Sequence, residues 1–110
     1  IYTIERHGKL NERLRHPKKI YAGDVGIRNL ITGYRDKGAV FENLVYLKLK
    51  HKHLRFVYEE RNEIDFITDD ETLIEVKYHS VLNDNQQKLF ENYPAKERIV
   101  VDCAKAFMVF

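Results

Sequence analysis

The sequence has one cysteine and no apolar run long enough to cross a membrane. Cys103 can close no internal disulfide and has no companion for a CxxC site. That excludes a disulfide scaffold and a thiolate metal centre, and it predicts an intracellular, cytoplasmic setting. Cys103 sits in the apolar run 99–103 and reads as a small buried side chain rather than a nucleophile. With no membrane span and no secretory signal, no membrane partner is expected. The stretch also lacks a phosphate-binding P-loop, internal repeats and low-complexity segments. The five histidines offer no metal site, because none has acidic or thiol companions at ligand spacing, and all five read as surface residues. The chain opens at Ile1 without methionine, so it is expected to be a piece of something longer.

A large excess of one charge sign is lacking too. The net value is +2, too small to mark a nucleic-acid-binding protein by itself. Its distribution is uneven: residues 1–38 hold nine Lys/Arg and four Asp/Glu, and residues 39–110 hold ten and thirteen. A basic lead segment beside an acidic cluster suits a phosphate-contacting surface next to a metal pocket; it equally suits ordinary solvated charge. Hydrophobic residues at 44% supply one modest core, hence one domain or one domain with part of another attached.

What is present is organised around Asn62 to Tyr78, NEIDFITDDETLIEVKY. Two runs rich in Ile, Val, Phe and Thr flank the acidic tip Asp69-Asp70-Glu71, which predicts a β-hairpin. If Thr68 faces Thr72, Asp65 lies opposite Glu75 and Glu63 opposite Lys77. Strand alternation then puts Asp65, Ile67, Leu73, Glu75 and Lys77 on one face, and Ile64, Phe66, Ile74, Val76 and Tyr78 on the other. Directly opposed carboxylates, about 4.5–5.5 Å apart at Cβ, repel unless something positive lies between them. A divalent cation with oxygen ligands removes the conflict, and Lys77 flanks it. A two-residue loop would instead pair Asp65 with Ile74 and split the carboxylates. The bland reading makes Asp65 and Glu75 exposed hairpin charges, with a Glu63–Lys77 cross-strand pair contributing about 0–1 kcal/mol.

Around the hairpin, Ile1 to Ile4 is a strand or a helix tail, followed by a polar connector to Pro17 and a short apolar run at Lys19–Ala22. Asp24 caps a short helix through Arg28 to Ile31, ended by Gly33. The spacing of Val40, Phe41, Leu44, Val45 and Leu49 predicts a helix from Ala39 to His51 or Lys52, with Glu42 at the border of its apolar stripe. Leu54–Tyr58 is a strand. Asn83 or Asp84 caps a helix over Gln86–Asn92, stopped by Pro94, and the run from Ile99 to Asp102 is a strand covered on both faces. Residues 104–110 form a closing strand or a truncated helix. Most tyrosines, including Tyr2, Tyr21, Tyr34, Tyr46 and Tyr58, read as core packing rather than as stacking faces for bases. The order helix, strand, strand, strand, helix, strand predicts an α/β (α+β) domain: a mixed sheet with an antiparallel meander, flanked by helices.

This arrangement resembles the PD-(D/E)XK nuclease superfamily, through Glu42 on the first helix, Asp65 on the second strand, Glu75-Val76-Lys77 on the third, and Gln86-Gln87 on the following helix. The phrases KKIYAGDVGIRNLITG, GAVFENLVYLKLK, NEIDFI and LIEVKY also resemble the C-terminal region of a family of prokaryotic AAA-type ATPases. The resemblance covers roughly residues 17–90. It implies a restriction-endonuclease-like core over residues 39–110. Residues 1–38 would form a basic lead segment, the tail of a winged-helix domain plus a short strand and helix. Asp65, Glu75, the Val76 carbonyl and Glu42 would hold Mg²⁺ or Mn²⁺, Lys77 would act on the attacking water, and Gln86 or Gln87 would position Lys77 or contact phosphate. Ile64 stands where the superfamily often has proline. The function implied is metal-dependent hydrolysis of nucleic acid, DNA foremost, next to an ATPase domain in the full-length chain; members often form homodimers. The alternative is a non-catalytic DNA-binding or assembly module with the same fold.

Overall fold

The computed structural model describes residues 1–23 and 37–102. The expected helix at Asp24–Ile31, its stop at Gly33, and Tyr34, Cys103 and residues 104–110 lie outside them. The described elements are β1 (Tyr2–Ile4), α1 (Leu10–Arg15), β2 (Lys19–Tyr21), α2 (Lys37–Leu49), a 3₁₀ turn (Lys50–Lys52), β3 (Arg55–Glu59), β4 (Asn62–Ile67), β5 (Thr72–Lys77), α3 (Asp84–Asn92) and β6 (Glu97–Asp102). The polar connector before Pro17 thus contains a helix, opened by Gly8 at φ 144° and by a hydrogen bond from the Lys9 N–H to the Glu12 carboxylate. Among the described residues no helix is long and apolar enough to cross a membrane.

A four-stranded sheet runs β3-β4-β5-β6, and β1 and β2 pair antiparallel beside it. The first three strands form the antiparallel meander, and α3 carries the chain across so that β6 lies parallel to β5. Beyond β1 the backbone of Glu5 and His7 pairs with Phe56 on β3, which ties the small sheet to the large one.

Each face of the sheet has its own apolar layer. On one side Phe56, Phe66, Ile74, Val76 and Val101 pack against Val45, Tyr46 and Leu49 of α2, and Ile4 and Tyr21 join them. On the other, Val57, Ile64, Ile67 and Leu73 pack against Phe90 of α3. Residues 1–23 therefore share a core with residues 39–102. Leu44, expected in the α2 stripe, is 41% exposed; Asn43 is buried instead, because its amide exchanges two hydrogen bonds with the backbone of Ala22.

The hairpin has the register set by Thr68 facing Thr72: the Thr68 N–H donates to the Thr72 carbonyl at 3.0 Å, and Phe66 and Ile67 pair with Ile74 and Leu73. Glu71 closes the three-residue loop in the left-handed region, φ 65°. The face assignment fails at one point. Pairing with β3 shifts between Arg55 and Val57, so Asp65 and Phe66 together oppose Phe56, a β-bulge. Ile64 consequently joins Ile67 and Leu73 on the α3 side, and Asp65 turns toward α2 instead of sharing the face of Glu75 and Lys77.

Candidate functional site

The ladder between β4 and β5 ends at the Phe66–Ile74 pair. There the side chains take over from the backbone. The Asp65 N–H donates to Glu75 Oε1 at 3.1 Å, and the Val76 N–H donates to Asp65 Oδ2 at 2.8 Å. Two acids thereby satisfy the amides that the separating strands leave unpaired. Both are buried, Asp65 at 8% and Glu75 at 2% exposure, so they are not exposed hairpin charges.

Glu42 reaches the same region from α2, but it arrives bonded. The Lys19 ammonium donates to Glu42 at 2.9 Å and to Glu63 at 3.0 Å, and lies 3.7 Å from Asp65 Oδ1. Tyr21, stacked on Tyr46 at 4.3 Å between ring centroids, donates its hydroxyl to Glu42 at 2.5 Å. On the other side of the gap Lys77 pairs with Glu75 Oε2 at 3.4 Å. The cross-strand Glu63–Lys77 pair does not form, because Glu63 is held by Lys19 and Lys77 by Glu75.

Of the two glutamines, Gln86 points inward, its amide 3.5 Å from the Glu63 carbonyl, and it also closes the α3 cap with Asn83. Gln87 is exposed and donates to Glu91 on its own helix, so the structure does not bring it to the carboxylates. Val76 contributes its N–H to Asp65.

Among the described residues the charges are unbalanced: Glu42, Glu63, Asp65 and Glu75 face two ammonium groups, Lys19 and Lys77. Burial, then the neighbouring charges of Glu42 and Glu75, push the Asp65 carboxyl well above the usual aspartate range, against the pull of Lys19. Burial alone would raise Glu42 as well, but Lys19 and the Tyr21 hydroxyl outweigh it and hold Glu42 below its ordinary value. Burial would lower Lys19, yet Glu42, Asp65 and Glu63 keep it above the ordinary lysine value.

The donor chemistry suits a hard divalent cation, an all-oxygen set with surplus negative charge. The expected convergence is nonetheless incomplete. Among the described residues no three acidic, histidine or cysteine side chains are placed to hold one metal ion. Glu42 and Glu63 turn to Lys19, and Glu75 turns to the Asp65 amide and Lys77.

Two substitutions probe this network. Asp65→Asn is expected to raise the melting temperature of the metal-free chain by about 4 °C, on the order of 1 kcal/mol. A carboxyl whose folded pKa is raised favours the fold below the ordinary aspartate value, near pH ~3.9, and loses that contribution as pH climbs through the folded value. At neutral pH its charge is a cost that asparagine removes, while Oδ1 keeps the Val76 N–H. Melts at pH 7 and pH 4 should show the gain shrinking in acid; an unchanged or lower value at pH 7 would separate the two acids. Tyr21→Phe keeps the stack on Tyr46 and loses the bond to charged Glu42, so denaturant unfolding should report a loss of about 1.5 kcal/mol. A loss below about 0.5 kcal/mol would deny that bond a structural role.

Lys19, Tyr21 and Glu63 had no part in the expected site. The only sequence signal for the first two is alternation in Lys19-Ile20-Tyr21, which turns Lys19 and Tyr21 inward only if Ile20 faces out, and Ile20 is 70% exposed. Two histidines are also less exposed than expected. His7 is half-buried with Nδ1 2.6 Å from the Tyr93 hydroxyl, and the His16 ring tilts against Tyr58, centroids 4.2 Å apart.

No protein-family model, no curated protein and no solved structure matches this chain.

Proposed function

We propose that this chain is a metal-dependent phosphodiesterase of PD-(D/E)XK type, with a restriction-endonuclease-like core, acting on nucleic acid and on DNA in particular. The observation that carries the reading is the mutual engagement of Asp65 and Glu75 where β4 and β5 separate, with Glu42 and Lys77 on either side. Such buried acids are retained at a cost, and a cation site gives that cost a purpose.

In this reading Asp65 and Glu75 would hold Mg²⁺ or Mn²⁺, with Glu42 and the Val76 carbonyl completing the set. When bound, the ion would supply a more acidic water and neutralise charge on the phosphate. Lys77, one strand step from the acids, orients the attacking water and stabilises the charge that builds on the phosphoryl oxygens. Gln86 steadies the β4 backbone at Glu63.

The basic surface for the phosphate backbone differs from the one the composition pointed to. In the lead segment Arg6 pairs with Glu59, and Arg13 and Lys18 pair with Glu5. Lys48, Lys50, His51, His53 and Arg55, from the last turn of the helix that carries Glu42 to the start of β3, are all exposed, and the Lys50 ammonium donates to the Tyr2 hydroxyl. A cationic run of this kind suits a polyanion. An ATPase domain elsewhere in the full-length protein and a homodimer are compatible additions.

The second reading, a non-catalytic docking module of the same fold, is favoured by one observation: Lys19 already neutralises Glu42 and Glu63. Calorimetric titration of Mg²⁺ and Mn²⁺, paired with cleavage of supercoiled, branched and single-stranded DNA, separates the two. The enzyme reading expects saturable metal binding and metal-dependent cutting, both lost in Glu75→Gln. Absence of both in the full-length protein would leave the module.

A further inference from the structure

We propose that Lys19 is a displaceable internal cation: it holds the place among Glu42, Glu63 and Asp65 in the metal-free state and swings out to Glu63 when a divalent ion is bound. The inference rests on the metal-site reading above and deepens it by assigning the step that opens the site.

Three observations point this way. First, the Lys19 ammonium makes its two short contacts to Glu42 and Glu63, and a longer one to Asp65. Two of those acids, Glu42 and Asp65, belong to the set that would hold the ion. An ammonium and a divalent cation cannot share the same carboxylate oxygens at close range, because like charges a few ångströms apart in a partly buried place repel strongly. Second, the three acids form an outward path. Side-chain exposure rises from 11% at Asp65 to 24% at Glu42 and 38% at Glu63. A lysine has a flexible four-carbon stem, so it can keep Glu63 while releasing the inner two. Third, the stem is anchored where such a swing needs it. Lys19 is the first residue of β2, paired with Ile4 at the end of β1, and its ammonium lies 5.6–5.7 Å from the ring centroids of Tyr21, Phe56 and Phe66. That aromatic rim favours a cation whichever carboxylate it contacts. The same arrangement accounts for the incomplete convergence of acids, since Glu42 is turned to Lys19.

The test compares Mn²⁺ affinity, read by calorimetry and by the manganese electron-spin signal, in the wild-type chain, Lys19→Met and Lys18→Met. Methionine keeps an apolar stem against the rings without the charge. Lys18, largely exposed and paired with Glu5, controls for the loss of a nearby positive charge. Lys19→Met is expected to bind Mn²⁺ at least tenfold more tightly than wild type, and Lys18→Met within twofold of it. Where Lys19→Met does not fold, ¹⁵N-lysine ammonium spectra of the wild-type chain decide. The Lys19 resonance, protected by its carboxylates without metal, should shift and exchange faster as Mg²⁺ saturates the site. Saturable binding with Lys19→Met no tighter than wild type, or with the Lys19 resonance unmoved, overturns the inference and leaves the metal site standing. No binding by any of the three proteins overturns both.

Discussion

Lys19→Met is expected to lower the melting temperature of the metal-free chain by about 10–15 °C at neutral pH, a loss of about 2–3 kcal/mol. Breaking a buried ion pair by removing one partner commonly costs about 3–5 kcal/mol, because the other charge is left without compensation. The lower figure applies here since Glu63 is a third exposed and water can take over part of its charge. Glu42 and Asp65 have no such relief, and the Tyr21 hydroxyl alone cannot neutralise Glu42. The pH dependence follows from the directions of the shifts. Lys19, with its folded pKa raised, contributes fully below the ordinary lysine value near ~10.4 and loses that contribution only as pH rises through the folded value. Glu42, with its folded pKa depressed, contributes above the ordinary glutamate value near ~4.3 and loses it as pH falls through the folded value. The penalty of Lys19→Met should therefore hold across neutral pH and shrink in acid, where the carboxylates lose their charge in both proteins. Thermal melts of the two proteins at pH 7 and pH 3 check this. A penalty that persists undiminished at pH 3 would mean that Lys19 supports the fold through its stem and not its charge.

That so large an effect falls on Lys19 shows where the sequence is readable and where it is not. The hairpin could be read because alternation and the Thr68/Thr72 frame fix a register; that register sets Asp65 and Glu75 where β4 and β5 part, and side-chain bonds to backbone amides join them there. The order of elements after residue 39 could be read because helical and strand periods differ. Three things could not be. The bulge at Asp65-Phe66 leaves no mark in the alternation of NEIDFI, yet it moves Ile64 to the α3 side and turns Asp65 to α2. Lys19 sits in a short run whose one aliphatic residue points to solvent, so hydrophobic pattern assigns the wrong face to the strand. Spacing alone puts Leu44 in the α2 stripe, whereas the helix buries Asn43 to satisfy the Ala22 backbone, a contact between segments distant in the chain. Each miss is a tertiary preference overriding a local rule, and two of the three lie at the carboxylates.

Lys77→Met is expected to reduce metal-dependent cleavage by about 100-fold or more while leaving metal binding intact, so that the loss appears in kcat and not in KM. The two amines differ in what they touch. Lys19 touches three acids and stands where a cation belongs, so its removal alters stability and metal affinity. Lys77 is paired with Glu75, and that acid keeps the Asp65 N–H when Lys77 is gone. Stability should also fall, by about 2–3 kcal/mol, because Glu75, at 2% side-chain exposure, is left a buried charge met only in part by the Asp65 N–H. What disappears is a preorganised positive charge beside the acids, at 17% side-chain exposure, where water can replace it only poorly. Steady-state cleavage of a DNA substrate, with Mn²⁺ affinity measured on the same preparations, distinguishes the outcomes. Cleavage within threefold of wild type would take Lys77 out of the chemistry and return the hydrolytic role to groups outside these strands. Equal losses in cleavage and metal affinity would make Lys77 a support for the metal-holding acids instead of a participant in phosphoryl transfer.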